Sequence, residues 1–121
     1  MPVKKILVVD DSPTERFVTT ELLTKHGYEV ITAENGADGI VKAKASQPDL
    51  VLMDVIMPGT NGYQATRMLA RDPATGQIPI ILCTSKGQET DKIWGLRQGA
   101  VDYLVKPVNH AELLQKIAAL P

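Results

Sequence analysis

Five short apolar runs alternate with longer stretches of mixed polar and apolar residues, and no other feature restricts this chain as much. Three of the runs, Lys5-Ile-Leu-Val-Val-Asp10, Asp49-Leu-Val-Leu-Met-Asp54 and Ile78-Pro-Ile-Ile-Leu-Cys-Thr84, are apolar almost throughout. Strands read this way when helices cover both faces of a parallel sheet. Tyr28-Glu-Val-Ile-Thr-Ala33 alternates more and Val101-Asp-Tyr-Leu-Val105 is short, which places these two nearer the sheet edges. Each run is followed by enough chain for a helix, so the expected class is α/β, with five successive βα units around a parallel sheet.

The helix boundaries are written in local signals. Ser12-Pro13-Thr14-Glu15 supplies a capping hydroxyl, a proline at the first helical position and a glutamate at the third, and Gly27 can take a left-handed conformation at the other end. The first helix is expected over about Pro13 to His26. The second runs from near Gly36 to Ser46, before Pro48, and the third follows Asn61-Gly62 and ends before Pro73. The fourth, about Gln88 to Gln98, carries Gly95 in its interior at a cost of about 1 kcal/mol relative to alanine, so it is expected to be the weakest. Asn109-His-Ala-Glu112 repeats the capping spacing and opens a last helix with Leu113, Leu114, Ile117 and Leu120 as its apolar stripe.

A chain of 121 residues reads as one domain, 1–121, with no linker, repeat or output domain, and is large enough to bury a core without staples. Cys83 is the single cysteine, so no intrachain disulfide and no CxxC metal set exists, and a reducing cytoplasm is the expected location. The apolar run after Lys4 and Lys5 ends at Asp10, too short for a secretory signal, and no run approaches the ~20 residues of a membrane helix. With 13 Lys plus Arg against 14 Asp plus Glu and a formal charge of −1, no basic field exists to hold nucleic acid.

The polar residues of the strand map converge. Asp10 and Asp11 end the first strand, Asp54 the third, Thr84 the fourth and Lys106 the fifth, all at carboxyl ends. Open α/β sheets bind ligands in the crevice at that edge where the strand order reverses, here between the first and third strands. Three carboxylates in one crevice raise each other's pKa unless a cation neutralises them, and oxygen-only donors open to water and phosphate favour Mg²⁺. A carboxylate beside such a metal can attack phosphorus to give an aspartyl phosphate. Lys106 would neutralise charge on the phosphoryl group and the Thr84 hydroxyl would bond one of its oxygens.

Across its whole length the chain resembles the receiver domains of two-component response regulators. The resemblance rests on Val9-Asp10-Asp11-Ser12, Met53-Asp54-Val55-Ile56-Met57-Pro58-Gly59 with Asn61-Gly62, Thr84, and Asp102-Tyr103-Leu104-Val105-Lys106-Pro107. It implies a flavodoxin-like (βα)5 three-layer sandwich with strand order 2-1-3-4-5. The ligand-site rule used above derives partly from chemotaxis receivers of this kind. The resemblance also implies that Asp54 is the phosphoacceptor and that Asp11 and Asp54 bind Mg²⁺ with the Ile56 carbonyl, Asp10 acting through water. It makes Thr84 and Tyr103 a coupled switch pair and the Lys106-Pro107 peptide cis. A sensor histidine kinase of the CheA type would supply the phosphoryl group to a stand-alone receiver, monomeric or weakly dimeric, which catalyses its own phosphorylation and dephosphorylation. Phosphorylation adds nearly two negative charges at the crevice and should draw Thr84 towards the phosphate, vacate space for Tyr103 to turn inward, and reshape the face of the fourth helix, fifth strand and fifth helix.

Gln88-Glu-Thr-Asp-Lys-Ile-Trp-Gly-Leu-Arg-Gln-Gly-Ala100, with Gln64-Ala-Thr-Arg67, further resembles single-domain regulators of type IV pilus twitching motility. Ile56 and Lys86 stand where flagellar chemotaxis receivers commonly carry polar or acidic residues, so the phosphoryl lifetime does not carry over from that group.

Taken singly, these residues have plainer readings. Asp10 and Asp11 would favour a helix dipole, Asp54 would end a strand, Lys106 would be solvated, and Thr84 and Tyr103 would pack a sheet. Their joint placement decides for the site. Trp94, one position off the stripe of Ile93 and Leu96, is a candidate partner contact. Met53, Met57 and Cys83 read as packing residues, and His26 and His110 as helix-end surface residues. A haloacid dehalogenase-type phosphohydrolase would need a DxDxT pattern, which Val55 and Ile56 break. A phosphate-independent pseudo-receiver would not need the full set Asp10, Asp11, Asp54, Thr84 and Lys106. Flavin binding would place a phosphate against an acidic loop.

Overall fold

The computed structural model describes residues 2–85 and 89–120. Its elements follow in the order β1 (Lys5–Val9), α1 (Pro13–Lys25), β2 (Glu29–Ala33), α2 (Gly36–Ser46), β3 (Leu50–Asp54), α3 (Gly62–Arg71), β4 (Ile80–Thr84), α4 (Glu89–Arg97), β5 (Asp102–Val105) and α5 (His110–Ala118). Every strand pairing is parallel and the order is β2-β1-β3-β4-β5. The alternating run and the short run therefore stand at the two edges. Among the described residues no helix is long and apolar enough to cross a membrane.

Side chains alternate across the sheet and build two cores. Ile6, Val8, Leu50, Leu52, Ile81 and Leu104 pack with Leu23 of α1 and with Leu113 and Ile117 of α5. Leu7, Val9, Val51, Met53, Ile80 and Leu82 face the other way, onto Ala43 of α2 and Ala65 and Leu69 of α3. Each fully buried Leu or Ile contributes about 2 kcal/mol. A sheet sealed on both faces can therefore hold unfavourable charge at its carboxyl edge.

The local signals act as expected at most helix ends. Asn61 and Gln64 form a reciprocal capping box at α3, and the side chains of Asn35 and Asn109 accept from Asp38 and Glu112 N–H. Gly27 takes φ +91° just past α1. The Lys106-Pro107 peptide is cis.

The fourth helix differs from its reading. Ile93 and Leu96 do not face inward: they are 46% and 47% exposed, and Trp94 is 52% exposed. Gly95 faces the sheet instead, where an added Cβ would lie 2.6 Å from Leu82 Cδ1 and 3.5 Å from ring carbons of Tyr103 and Tyr63. The helix approaches β4 and β5 through its glycine, which sets its rotation and leaves the apolar stripe outside. The expected start at Gln88 lies outside the described residues, as does Lys86.

Candidate functional site

The carboxyl ends of β1, β3, β4 and β5 bring Asp10, Asp54, Thr84 and Lys106 together. Asp54 is the last residue of β3, in register with Cys83, and its backbone is backed by Gly62. A Cβ at Gly62 would fall 2.2 Å from the Asp54 carbonyl oxygen, so only glycine lets the loop after β3 fold back this tightly. That packing, with the Gly62 N–H donated to Val55 O at 2.8 Å, accounts for the Asn61-Gly62 element of the sequence.

Asp10 is held on all sides. Its N–H donates to Ala33 O, its Oδ1 accepts from the Ser12 N–H at 2.9 Å, and its carbonyl accepts from Arg16 Nη1 at 2.7 Å. Lys106 is anchored by its own N–H, donated to Thr84 O at 2.7 Å. Its ammonium reaches three carboxylates, Glu15 Oε2 at 2.9 Å, Asp54 Oδ1 at 3.1 Å and Asp10 Oδ2 at 3.5 Å. Asp10, Glu15 and Asp54 can each bring an oxygen within 4.8 Å of the others.

Electrostatics follow from burial. Burial first, and then the charges of Asp10 and Asp11, push the Asp54 carboxyl up to about 6 against the pull of Lys106. Asp10 is also raised by burial, partly offset by the Ser12 N–H and Lys106. Burial alone would lower the Lys106 pKa, but its hydrogen bonds to Glu15 and Asp54 outweigh that and hold the ammonium above its ordinary value. Two buried carboxylates left short of positive charge, with oxygen as the only donor, suit a hard divalent cation. The described side chains therefore fit the group that their pattern implied.

Asp11 is exposed and lies outside that close trio, lining a neighbouring depression with Glu34, Pro58 and Gly59. Its charge still reaches Asp54. Ile56, two residues past Asp54, is 54% exposed. A cavity of about 240 Å³ is lined at one side by Asp10, Glu15, Asp54 and Lys106 of the crevice and continues between α1 and α5 along Val18, Leu22, Leu52 and Leu113. Cys83 faces it, and burial pushes the thiol up to about 12, consistent with a packing role.

The model of the response regulator receiver domain matches residues 6–118. The chain belongs to that family. Among curated relatives, this receiver is 57% identical to Protein PilH of Pseudomonas aeruginosa over 116 residues, 96% of either chain. Among solved structures, the chemotaxis protein CheY4 of Vibrio cholerae superposes with a TM-score of 0.89 at 32% identity, covering 95% of this receiver and 96% of CheY4. The receiver domain of the sensor histidine kinase PA1611 of Pseudomonas aeruginosa, solved with a magnesium ion coordinated in its active site cleft, gives 0.87 at 32% identity, covering 95% and 94%.

One expectation changes in detail. Tyr103 already lies inward, 8% exposed, in the core beneath α4. Its hydroxyl shares hydrogen bonds with Tyr63 and Thr84, and burial pushes it up to about 12. Thr84 is fully buried. The inward turn expected after phosphorylation is thus already made, because the glycine face of α4 leaves room for the ring. Sequence reading also missed Glu15, Arg16 and Tyr63. Glu15 and Arg16 stand in the first turn of the helix leaving β1, a position that overhangs the strand end. The capping spacing offered Glu15 a local partner and concealed this one.

Proposed function

We propose that this receiver is a stand-alone phosphoacceptor that takes a phosphoryl group from a sensor histidine kinase onto Asp54 and signals through the face of α4, β5 and α5. The observation that carries the reading is the Asp54 carboxylate. It is buried at the switch between β1 and β3, 3.1 Å from the Lys106 ammonium and beside Asp10. Asp10, Asp11 and Asp54, with the Ile56 carbonyl, would hold Mg²⁺, which supplies charge neutralisation for the carboxylates and the phosphoryl oxygens.

A carboxylate oxygen of Asp54 forms the new P–O bond while the P–N bond to the kinase imidazole breaks, and the departing nitrogen keeps the electron pair. Lys106 donates to a phosphoryl oxygen, its direction set by the backbone bond to Thr84 O. The Thr84 hydroxyl donates to another. Rotation of Thr84 toward the phosphoryl group withdraws it from Tyr103 and shifts the pair that supports α4. Ile93, Trp94, Leu96, Val101 and Val105 are exposed, and Ile93, Leu96, Val101 and Val105 line a depression with Lys92, Asp102, Tyr103 and Lys116. That surface would carry the output, with Trp94 beside it as a partner contact. The 57% identity with PilH over nearly the full length of both chains, together with the resemblance to twitching regulators, supports a place in type IV pilus motility.

Intact mass after incubation with acetyl phosphate, with and without Mg²⁺, tests the acceptor in the wild type and in Asp54→Asn. The expected result is a Mg²⁺-dependent gain of one phosphoryl group, lost in the variant. No adduct, and no response to beryllofluoride, would replace this reading with a phosphate-independent interaction module.

A further inference from the structure

An ammonium has three hydrogens to donate, and the three carboxylates around Lys106 match them. The shortest contact, 2.9 Å, is to Glu15, which lies outside the motif set of Asp10, Asp11, Asp54, Thr84 and Lys106. Glu15 occupies the third position of α1, where the spacing from Ser12 calls for its carboxylate to reach back to the Ser12 N–H. Half of that box is present: Ser12 Oγ accepts from the Glu15 N–H at 3.2 Å. The other half is replaced, because the Ser12 N–H donates to Asp10 Oδ1 and Glu15 Oε2 accepts from Lys106, 91 positions along the chain. A carboxylate positioned to cap its own helix is committed to the crevice instead.

We propose that Glu15 is a positioning residue that restrains Lys106 and opposes the arrival of a phosphoryl group on Asp54. The inference rests on the phosphoacceptor reading. When Asp54 is phosphorylated, the donor now spent on its Oδ1 passes to a phosphoryl oxygen, while Glu15 remains on the same ammonium. A carboxylate then faces a group of nearly two negative charges across one shared cation. Arg16 adds positive charge on α1, its Nη1 donating to the Asp10 carbonyl rather than to a carboxylate. Glu15 is 49% exposed at its side chain, so solvent screens much of the repulsion. The expected effect is about two- to fivefold, the range of an exposed ion pair.

Glu15→Gln keeps the shape of the side chain and removes its charge, and Glu15→Asp keeps the charge but shortens the reach. Full-length protein with Mg²⁺ is assayed for beryllofluoride affinity and for the initial rate of phosphorylation by acetyl phosphate, at low salt and at about 0.5 M salt, where screening is short-ranged. Mg²⁺ affinity is measured in parallel by calorimetry. Glu15→Gln should raise both phosphoryl readouts about two- to fivefold, with the gain shrinking at high salt, and Glu15→Asp should fall between it and the wild type. Mg²⁺ affinity should stay within about twofold, since a restraint on Lys106 is not a metal ligand. Unchanged or slower phosphorylation in Glu15→Gln overturns the inference. So does a tenfold or greater loss of Mg²⁺ affinity, about the least expected when a group supporting a metal is removed, which would assign Glu15 to the cation. If the wild type itself takes neither phosphoryl group nor beryllofluoride, the phosphoacceptor reading falls and this inference falls with it.

Discussion

At the crevice, charged groups are taken out of water; along α4 and β5, apolar groups are left in it. Asp10 and Asp54 are buried with raised pKa values, and their surroundings are polar, anchored by backbone bonds and by the Lys106 ammonium. Ile93, Trp94, Leu96, Val101 and Val105 are exposed, and the helix beside them touches the sheet through a glycine. Both regions depart from what stability alone would choose, in opposite senses. The first holds charge at an energetic cost and the second leaves apolar surface in water at a cost; under the proposed function a cation with a phosphoryl group would relieve the one and a partner the other. Thr84, Tyr103 and Tyr63 lie between them, so a change of charge at one has a path to the packing of the other.

The comparison is tested hardest at Asp54. Asp54→Asn should abolish phosphorylation and, without Mg²⁺, stabilise the protein at neutral pH by about 2 kcal/mol in urea denaturation. The sign follows from the raised carboxyl. Native Asp54 holds its proton to about pH 6, whereas the unfolded chain releases it near 3.8. Its favourable contribution is therefore complete below pH 3.8 and lost as the pH rises through 6. The gain in the variant should be large at pH 7.5 and small at pH 4, and a gain independent of pH would contradict a charge stored at this site.

Glycine substitutions come next. Gly62→Ala should cost about 2–3 kcal/mol, since its Cβ meets the rigid backbone of Asp54, and Gly95→Ala about 1–2 kcal/mol, since Leu82 can yield and alanine favours the helix. Equal costs, measured by thermal or urea unfolding, would break the distinction between a backbone stop and a side-chain contact. Tyr63→Phe removes a hydrogen bond to Tyr103 and should cost about 1 kcal/mol. It should also enlarge the amide shift changes on β5 and α4 when beryllofluoride binds, because the bond between the Tyr63 and Tyr103 hydroxyls is then missing. Trp94→Ala is the smallest: stability should change by no more than about 0.5 kcal/mol, while binding of the output partner weakens. A large loss of stability would mean that Trp94 packs the domain rather than its partner.

Much of this was legible from one dimension. The fully apolar runs marked strands covered on both faces, and β2 and β5 at the edges followed from alternation and shortness. Asp54, Thr84 and Lys106 could be placed at one edge because parallel strands all present their carboxyl ends to the same side. The rotation of α4 was hidden, since Ile93 and Leu96 make a plausible stripe until the space beside Leu82 is known. Glu15 was hidden for a related reason: its nearest partner along the chain and its actual partner in space compete, and spacing reveals only the first.

Periodicity and capping residues determined the order and type of the elements, because these depend on which backbone conformations and faces a short segment can satisfy by itself. The sheet edge that gathers the acidic crevice follows from the same information. Only the tertiary structure decided which carboxylates share Lys106, that Tyr103 lies inward on Tyr63 and Thr84, and that α4 turns its glycine to the sheet. Those outcomes depend on distances between residues far apart in sequence, where a few tenths of an ångström beside Leu82 or Asp54 separates contact from overlap.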